Sequence, residues 1–351
     1  MAEVYKEPLE IEVQSPSTFT KAALNKCLFV TTEHGIGATE KVSPKIKVFS
    51  STEEVAKHFG NNTKILKMVE FFLGQKRYPA KQPLKPDFFT VLSVKAEDTT
   101  KEDVIEGLNM SLSSEWYAFT HCLDNTIIAE GDLNSWCNEH RKILFEENTN
   151  RTSNLEKRSD RYIKMFNKKP DEEYKAVAYM ATVITNGAAS KVDMNIVNMC
   201  SPDVSGGERQ ELTAQNINFT EKRTSKEYVV VRNGVATDST PIDDTTAIDY
   251  LIYNLMDNIE ILMAESGVEQ DDRGYDKLEG KLTQVLEEAG EMGILAVEGT
   301  NYAYSIPTIT QTATDRQLRE LECEVIFRLK GWVRFIKLIL RRTYDEVNRG
   351  E

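Results

Sequence analysis

Cysteine and histidine residues come close together in the sequence at only two places. His121 directly precedes Cys122, and Cys137 is followed by His140 three positions later. Thiolate and imidazole groups are common ligands of tetrahedral zinc. Zinc modules place two such pairs on turns, whereas the surrounding pattern predicts that Cys137 and His140 lie inside an amphipathic helix beside Trp136. We therefore interpret these residues as packing residues and predict no metal site.

Loops that bind phosphates or calcium are not specified either. Residues 35–37 read Gly-Ile-Gly and lack the third glycine of a dinucleotide fingerprint, and no Gly-Lys-Ser or Gly-Lys-Thr occurs. The acidic residues 269–274 resemble a calcium loop, but Arg273 occupies a ligand position and Gly280 stands where the closing Glu should be. We interpret this stretch as a solvated loop between helices.

Nucleophilic and acid–base catalysis also lack a supporting constellation. The sequence contains no Gly-x-Ser-x-Gly, and no cysteine is paired with a histidine in a known catalytic pattern. His34 falls in a polar loop and His58 near a helix end, positions typical of ordinary surface residues. We therefore predict that the protein is not an enzyme and uses no cofactor.

Composition limits the class of protein. The chain has 351 residues, enough for two or so domains. It has 43 basic and 56 acidic residues, so its net charge is 43 − 56 = −13, which disfavours nucleic-acid binding by counterion release. Five scattered cysteines favour reduced thiols over a disulfide framework. We find no apolar run of membrane-spanning length and no secretory signal, and so predict synthesis in the cytoplasm without membrane insertion.

Strands and helices alternate in the first half of the chain. Ser50 or Ser51 precedes two acids and an apolar pattern, which predicts the start of a helix. The predicted elements are strands at 27–30, 46–49, 88–94 and 116–119, and helices from 51, at 63–73, at 101–108 and at about 127–145.

A polar stretch at 146–159 is the best candidate for a domain junction. Beyond it we predict strands at 162–166 and 228–232, with Asn233-Gly234 turning the second into a return strand from Val235. Helices are predicted at 172–185, 247–263 and 275–292. The fold class is therefore mixed α+β, with two α/β domains. The predicted divisions are a linking arm at 1–20, an N-terminal domain at 21–150, a C-terminal domain at 151–330 and a linking strand at 331–351.

The two ends of the chain have complementary patterns. Leu9, Ile11 and Val13 alternate with polar residues in the N-terminal arm. Residues 325–342 contain no acid, and their alternation predicts two strands joined near Gly331. This stretch carries six basic residues: Arg328, Lys330, Arg334, Lys337, Arg341 and Arg342. An ordinary solvated hairpin would explain it alone, but with the arm it predicts strand addition between neighbouring subunits, with charge setting the register.

The order of these features resembles the tail-sheath-like proteins of contractile phage tails and related injection machines. The resemblance covers most of the chain, although its motifs are structural. The stretches that carry it are residues 29–31, Val48 to Gly60, the helix ending Phe71-Phe72-Leu73, residues 115–119, Leu212 to Phe219, the 228–232 strand, Asn233 to Ala236, and the Pro241 to Asp244 link.

The resemblance implies a structural subunit that forms stacked hexameric rings around an inner tail tube and contracts to drive the tube through the target envelope. It implies contacts with further copies of itself, the tube protein, and baseplate and tail terminator proteins, in a virion tail or phage-tail-like particle assembled in the bacterial host cytoplasm. Exchanged strands would contain Ile11, Val13, Val333, Phe335, Ile336 and Leu338. Charged contacts to acidic neighbours or the tube would involve Arg334, Lys337, Arg341 and Arg342.

Two alternatives remain open at this point. A non-contractile tail or baseplate protein could use the same domain, and polymer length would separate it from a sheath. A small-molecule enzyme with an α/β core would be favoured by a metal at Cys137 and His140 or by a pocket with perturbed carboxylates.

Overall fold

The computed structural model describes residues 24–38, 44–78, 82–83, 88–124, 126–152, 154–204, 207–223, 228–312, 315, 317 and 321–332. The helices are α1 (Thr52–Phe59), α2 (Lys64–Leu73), α3 (Lys101–Ser111), α4 (Asn134–Glu139), α5 (Lys175–Thr185), α6 (Glu208–Ala214), α7 (Ile242–Glu265) and α8 (Asp272–Glu291). The mixture of helices and sheets confirms the predicted α+β class. Within these ranges, no helix is long and apolar enough to cross a membrane.

The strands form one large sheet and several small ones. They are β1 (Cys27–Thr31), β2 (Lys45–Phe49), β3 (Lys76–Arg77), β4 (Gln82–Pro83), β5 (Phe89–Ser93), β6 (Ala118–His121), β7 (Ile143–Asn148), β8 (Tyr162–Phe166), β9 (Asn195–Ile196), β10 (Phe219–Arg223), β11 (Tyr228–Arg232), β12 (Val297–Glu298), β13 (Asn301–Tyr302), β14 (Thr308–Thr310) and β15 (Glu322–Glu324). The large sheet has the order β2-β5-β1-β6-β7-β8, and only β2 runs antiparallel to its neighbour.

Helices cover both faces of the large sheet. One face packs against α1, α2 and α5, and the other packs against α3 and α4. Every residue of β1, β5 and β8 is buried, as expected for parallel strands with both faces covered. The sheet continues from β7 into β8 across the polar stretch near residue 150, and the domain boundary predicted there remains a prediction.

Side-chain caps mark the starts of four of the eight helices described above. Ser51 accepts a hydrogen bond from the amide of Glu54 and caps α1, which confirms the predicted start. Thr63 caps α2 in the same way, and Thr100 forms a capping box with Asp103 at the start of α3. The predicted helices at 63–73, 101–108, 172–185, 247–263 and 275–292 are present with shifted ends.

The helix predicted at 127–145 is wrong. Only α4 is helical there, and the apolar run from Ile143 forms β7 inside the sheet. Gly131 has φ +77°, and Arg141 has φ +50°, so the chain turns before α4 and again after it. The apolar period therefore comes from a turn, a short helix and a buried strand in succession.

The hairpin predicted after β11 is also wrong. β11 pairs with β10, which precedes it, and with β9, whereas Val235 bridges to Pro241. Asn218 explains the difference, because its side-chain oxygen accepts hydrogen bonds from the amides of Gly234, at 2.8 Å, and Val235, at 3.3 Å. The Asn-Gly turn therefore leads the chain around Asn218.

The described residues between 242 and 332 form a layer of their own. The long helices α7 and α8 pack against each other, and a ribbon built from residues 294–310 and 321–330 packs on them. Its short pairs are β12–β13 and β14–β15, extended by bridges from Leu295 to Leu329 and from Tyr304 to Phe327. The strand predicted around 325–329 is thus extended and pairs through isolated bridges. The regular ladder is formed by β15, just before it.

Candidate assembly interface

The C-terminal ribbon is the part of the molecule from which the predicted linking strand departs. Its backbone is held by hydrogen bonds from Ser305 to Ile326, from Arg328 to Ala303 and from Lys330 to Ile294, all between 2.8 and 2.9 Å. These bonds connect the strand at 321–330 to two earlier segments of the chain. The strand therefore reaches its last described residues in a fixed direction.

The inner face of this ribbon rests on the two long helices. Val325, Phe327 and Leu329 pack against a core that includes Leu251 of α7 and Leu286 of α8. The alternate residues of the same strand are exposed. Helix packing therefore determines which face of the strand is available to other molecules.

Trp332 is the last described residue, and two contacts hold its side chain in place. Its indole N–H donates a hydrogen bond to the Ala189 carbonyl at 2.8 Å, and the Lys330 ammonium lies 5.0 Å from the centre of its ring. At the other end, Leu24 packs against the main core, and the Lys26 carbonyl accepts from the Tyr117 amide. Trp332, inside the predicted linking strand 331–351, and Leu24, which follows the predicted arm 1–20, are thus tied to the folded part.

The residues predicted to take part in strand exchange and charged contacts all lie outside the described residues. They are Ile11, Val13, Val333, Phe335, Ile336 and Leu338 for the strands, and Arg334, Lys337, Arg341 and Arg342 for the charges. Their roles remain predictions.

A buried charge cluster connects α7 to the large sheet, and the sequence analysis did not find it. Asp249 is fully buried and receives two hydrogen bonds of 2.7 Å from the Arg161 guanidinium. Arg141 donates to the same carboxylate at 3.2 Å, and the Tyr117 hydroxyl donates at 2.6 Å. Burial, followed by the charge of Asp249, raises the pKa of Tyr117 well above its usual value. The carboxylate therefore joins three sheet-associated side chains to one helix.

A second buried cluster lies at the start of α5. The Glu147 carboxylate accepts from the Ala176 amide at 2.8 Å and from the Asn167 side chain at 2.6 Å. The buried Lys175 forms an ion pair with Asp203 at 2.6 Å. Burial raises the pKa of Glu147 to about 7, although both hydrogen bonds oppose this shift. The surroundings of Glu147 therefore favour the neutral form of its carboxyl group.

Glu146 is the neighbour of Glu147 and points to the opposite face of the sheet. Burial raises its pKa to about 7 as well. On the same face, the buried Lys164 forms an ion pair with Glu130 at 3.0 Å and donates to the Thr152 carbonyl at 2.6 Å. Glu146 is buried and the adjacent Glu147 is half-buried, and a plain apolar pattern does not capture this pair of acids in one strand.

Cys137 and His140, which were considered as metal ligands above, each pack against neighbouring side chains. Cys137 is buried among apolar side chains, and burial raises the pKa of its thiol to about 12. His140 ends α4, with its ring 4.6 Å from that of Trp136. Among the described residues, no three metal-binding side chains come close enough to hold an ion.

The remaining histidines occupy defined places at the sheet. The Nε2 atom of His34 lies 2.7 Å from the Val94 carbonyl, and the ring of His58 lies against Phe49. His121 ends β6 with both ring nitrogens buried and without a hydrogen-bond partner, and burial lowers its pKa to about 4. His121 is predicted above to be a packing residue, but a histidine at a strand end gives no signal of a neutral, enclosed imidazole.

Only the comparison of three-dimensional structures matches this chain to known proteins. No family model and no curated protein matches the chain. A chain in the cryo-EM structure of the anti-feeding prophage (AFP) baseplate matches with a TM-score of 0.71 and 13% identity, over 98% of this chain and 100% of that one. A chain of the AFP helical sheath in the contracted state matches with a TM-score of 0.69 and 15% identity, over 98% and 100%.

A third match comes from the sheath complex of an extracellular contractile injection system, PVC, in the contracted state. Its TM-score is 0.62 at 12% identity, and it covers 98% of both chains. The fold is that of contractile sheath proteins. The family resemblance inferred from the sequence is therefore confirmed at the level of the fold.

Proposed function

We propose that this protein is a structural subunit of a contractile tail sheath. It would polymerise as stacked hexameric rings around an inner tail tube and contract to drive the tube through the target envelope. The observation that carries the proposal is the sheath fold along 98% of the chain, in matches that include a contracted helical sheath. A polymer with two packings of different stability can do mechanical work without nucleotide hydrolysis.

Strand exchange would link the subunits. The arm with Ile11 and Val13 and the strand with Val333, Phe335 and Leu338 would pair between neighbours, because extended segments gain affinity from main-chain hydrogen bonds. The anchoring of Leu24 and Trp332 supports this role, since both segments start from fixed points. Charged contacts would pair the basic C-terminal strand with acidic neighbours or the tube. Baseplate and terminator proteins would bind the ends of the polymer.

A baseplate component of the same fold is the second candidate. The AFP baseplate chain matches slightly better than the AFP helical sheath chain, with TM-scores of 0.71 and 0.69. A baseplate protein would form one closed ring, whereas a sheath protein would form long tubes. An enzymatic role has less support, because Glu146 is buried and the half-buried Glu147 is already hydrogen-bonded to Ala176 and Asn167.

A charge-reversal experiment tests the proposed linkage. One variant replaces Arg334, Lys337, Arg341 and Arg342 by Glu. A control variant makes the same charge change at four exposed lysines in the N-terminal half: Lys45, Lys57, Lys67 and Lys76. We expect the intact chain and the control to sediment as polymer at high concentration, and the tail variant to stay in the supernatant. Equal sedimentation of both variants would contradict a linking role for the basic strand.

A further inference from the structure

One face of the last described strand carries a charge pattern that is complementary to itself. Every second residue of this strand is exposed, namely Glu322, Glu324, Ile326, Arg328 and Lys330. We call these five residues the C-terminal strip. Two acids precede the isoleucine and two bases follow it. When the strip is turned end to end, acids and bases exchange places and the isoleucine stays in the middle.

The centre of the strip is apolar and open to solvent. Ile326 is 58% exposed, and Ile306 on the neighbouring segment is 67% exposed. The Ser305 amide donates to the Ile326 carbonyl at 2.9 Å, so the two isoleucines belong to adjoining parts of one ribbon. An apolar centre with charged groups around it is the usual arrangement of a protein–protein contact.

We propose that the C-terminal strip binds the same strip of a second copy of this chain in an antiparallel, two-fold arrangement. Glu322 then lies opposite the partner's Lys330. Glu324 lies opposite the partner's Arg328, and Ile326 faces its own symmetry mate. Each ion pair occurs twice in such a contact, which gives four pairs around an isoleucine centre. A parallel arrangement places like charges opposite each other and is disfavoured.

The charged groups of the strip are available for ion pairs with a second copy. Arg328 pairs with Glu298 at 3.0 Å, but both side chains are 61% exposed, so this pair contributes little to stability. Lys330 has its ammonium group over the ring of Trp332. A strand from 322 to 330 spans about 27 Å, so the contact is smaller than a standard interface and should be weak and sensitive to salt.

A two-fold contact has a defined place relative to the proposed function. Stacked rings that all point along one tail have no two-fold axis between subunits, so this dimer belongs to free subunits and must separate before polymerisation. The inference rests on the charge pattern and exposure of the strip. A negative result for the strip contact would therefore leave the sheath proposal unchanged, and the reverse also holds.

Cross-linking of the full chain tests the geometry. In the Ile326→Cys variant, the two new thiols face each other across the axis, and a short bis-maleimide should link them. The Met110→Cys variant is the matched control, because Met110 is 47% exposed in α3, which packs on the large sheet. The unmodified chain measures the background from the five native cysteines. We expect several-fold more covalent dimer with Ile326→Cys at low salt, and a loss of this excess at high salt.

Charge variants make the test specific. In the Ile326→Cys background, Glu322→Lys with Glu324→Lys should abolish the dimer, and Arg328→Glu with Lys330→Glu should abolish it too. Mixing these two proteins should restore cross-linking, now only between unlike chains, which also shows that both variants are folded. Cross-linking that is unchanged in either variant alone, or absent from the mixture, would overturn the proposal. Tubes seen by electron microscopy test the sheath function separately.

Discussion

Asp249 is the residue on which the contact between α7 and the large sheet depends. Its replacement by Asn removes the charge that pairs with Arg161 and Arg141 inside the protein. Breaking one side of a buried ion pair costs about 3 to 5 kcal/mol. We expect urea unfolding to show a loss of this size for Asp249→Asn. Glu265→Gln, at the exposed end of the same helix, should change stability by less than about 0.5 kcal/mol. Equal effects would contradict the assigned role of Asp249.

The half-buried Glu147 should make stability depend on pH, because its pKa is raised in the folded chain. Its pKa is about 7 in the folded chain and about 4.5 when unfolded, so the folded state retains a proton that the unfolded state releases. Stability contributed by this group is therefore complete below pH 4.5 and falls as the pH rises to 7, by up to about 3 kcal/mol.

The Glu147→Gln variant isolates this contribution, because its amide oxygen can still accept from Ala176. We expect the stability of the natural chain relative to the variant to decrease between pH 5 and pH 8. Glu291→Gln, at the exposed end of α8, serves as the control and should track the natural chain. A constant difference between the natural chain and Glu147→Gln at both pH values would show that Glu147 does not carry this proton.

The elements that the sequence predicted well are those with their own local signals. Ser51 caps α1, and apolar residues recur along one side of α7 and α8. The elements that it mispredicted depend on distant contacts. Asn218 redirects the chain after Gly234, and the run from Ile143 becomes a strand because β6 and β8 flank it. The charge cluster at Asp249 was missed for the same reason, since its members are far apart in sequence. The predicted linking residues lie outside the described chain.

Gly131 provides a test of the turn that replaces the predicted helix at 127–145. It has φ +77°, and a Cβ atom there would lie 2.6 Å from the Lys157 side chain. We expect Gly131→Ala to cost more than about 1 kcal/mol and to lower the melting temperature. Gly280→Ala, inside α8 with open space around it, should instead stabilise the protein by about 1 kcal/mol. A stabilising effect of Gly131→Ala would contradict the turn.

The whole molecule combines a helix-covered sheet with a C-terminal layer from which one predicted linking strand departs. The contracted AFP and PVC sheath chains match almost the full length of this chain, at 15% and 12% identity. Buried charges at Asp249 connect the layer to the sheet. In the proposed sheath, the segments at the two ends of this chain would hold the neighbouring copies.

Negative-stain electron microscopy of the purified full chain at high concentration shows directly whether the protein forms a sheath-like polymer. We predict long hollow tubes from the intact chain, and their loss when the residues after Gly331 are removed. Single closed rings would favour the baseplate role. A monodisperse monomer at both low and high salt would contradict polymerisation through the terminal segments, and with it the proposed sheath function.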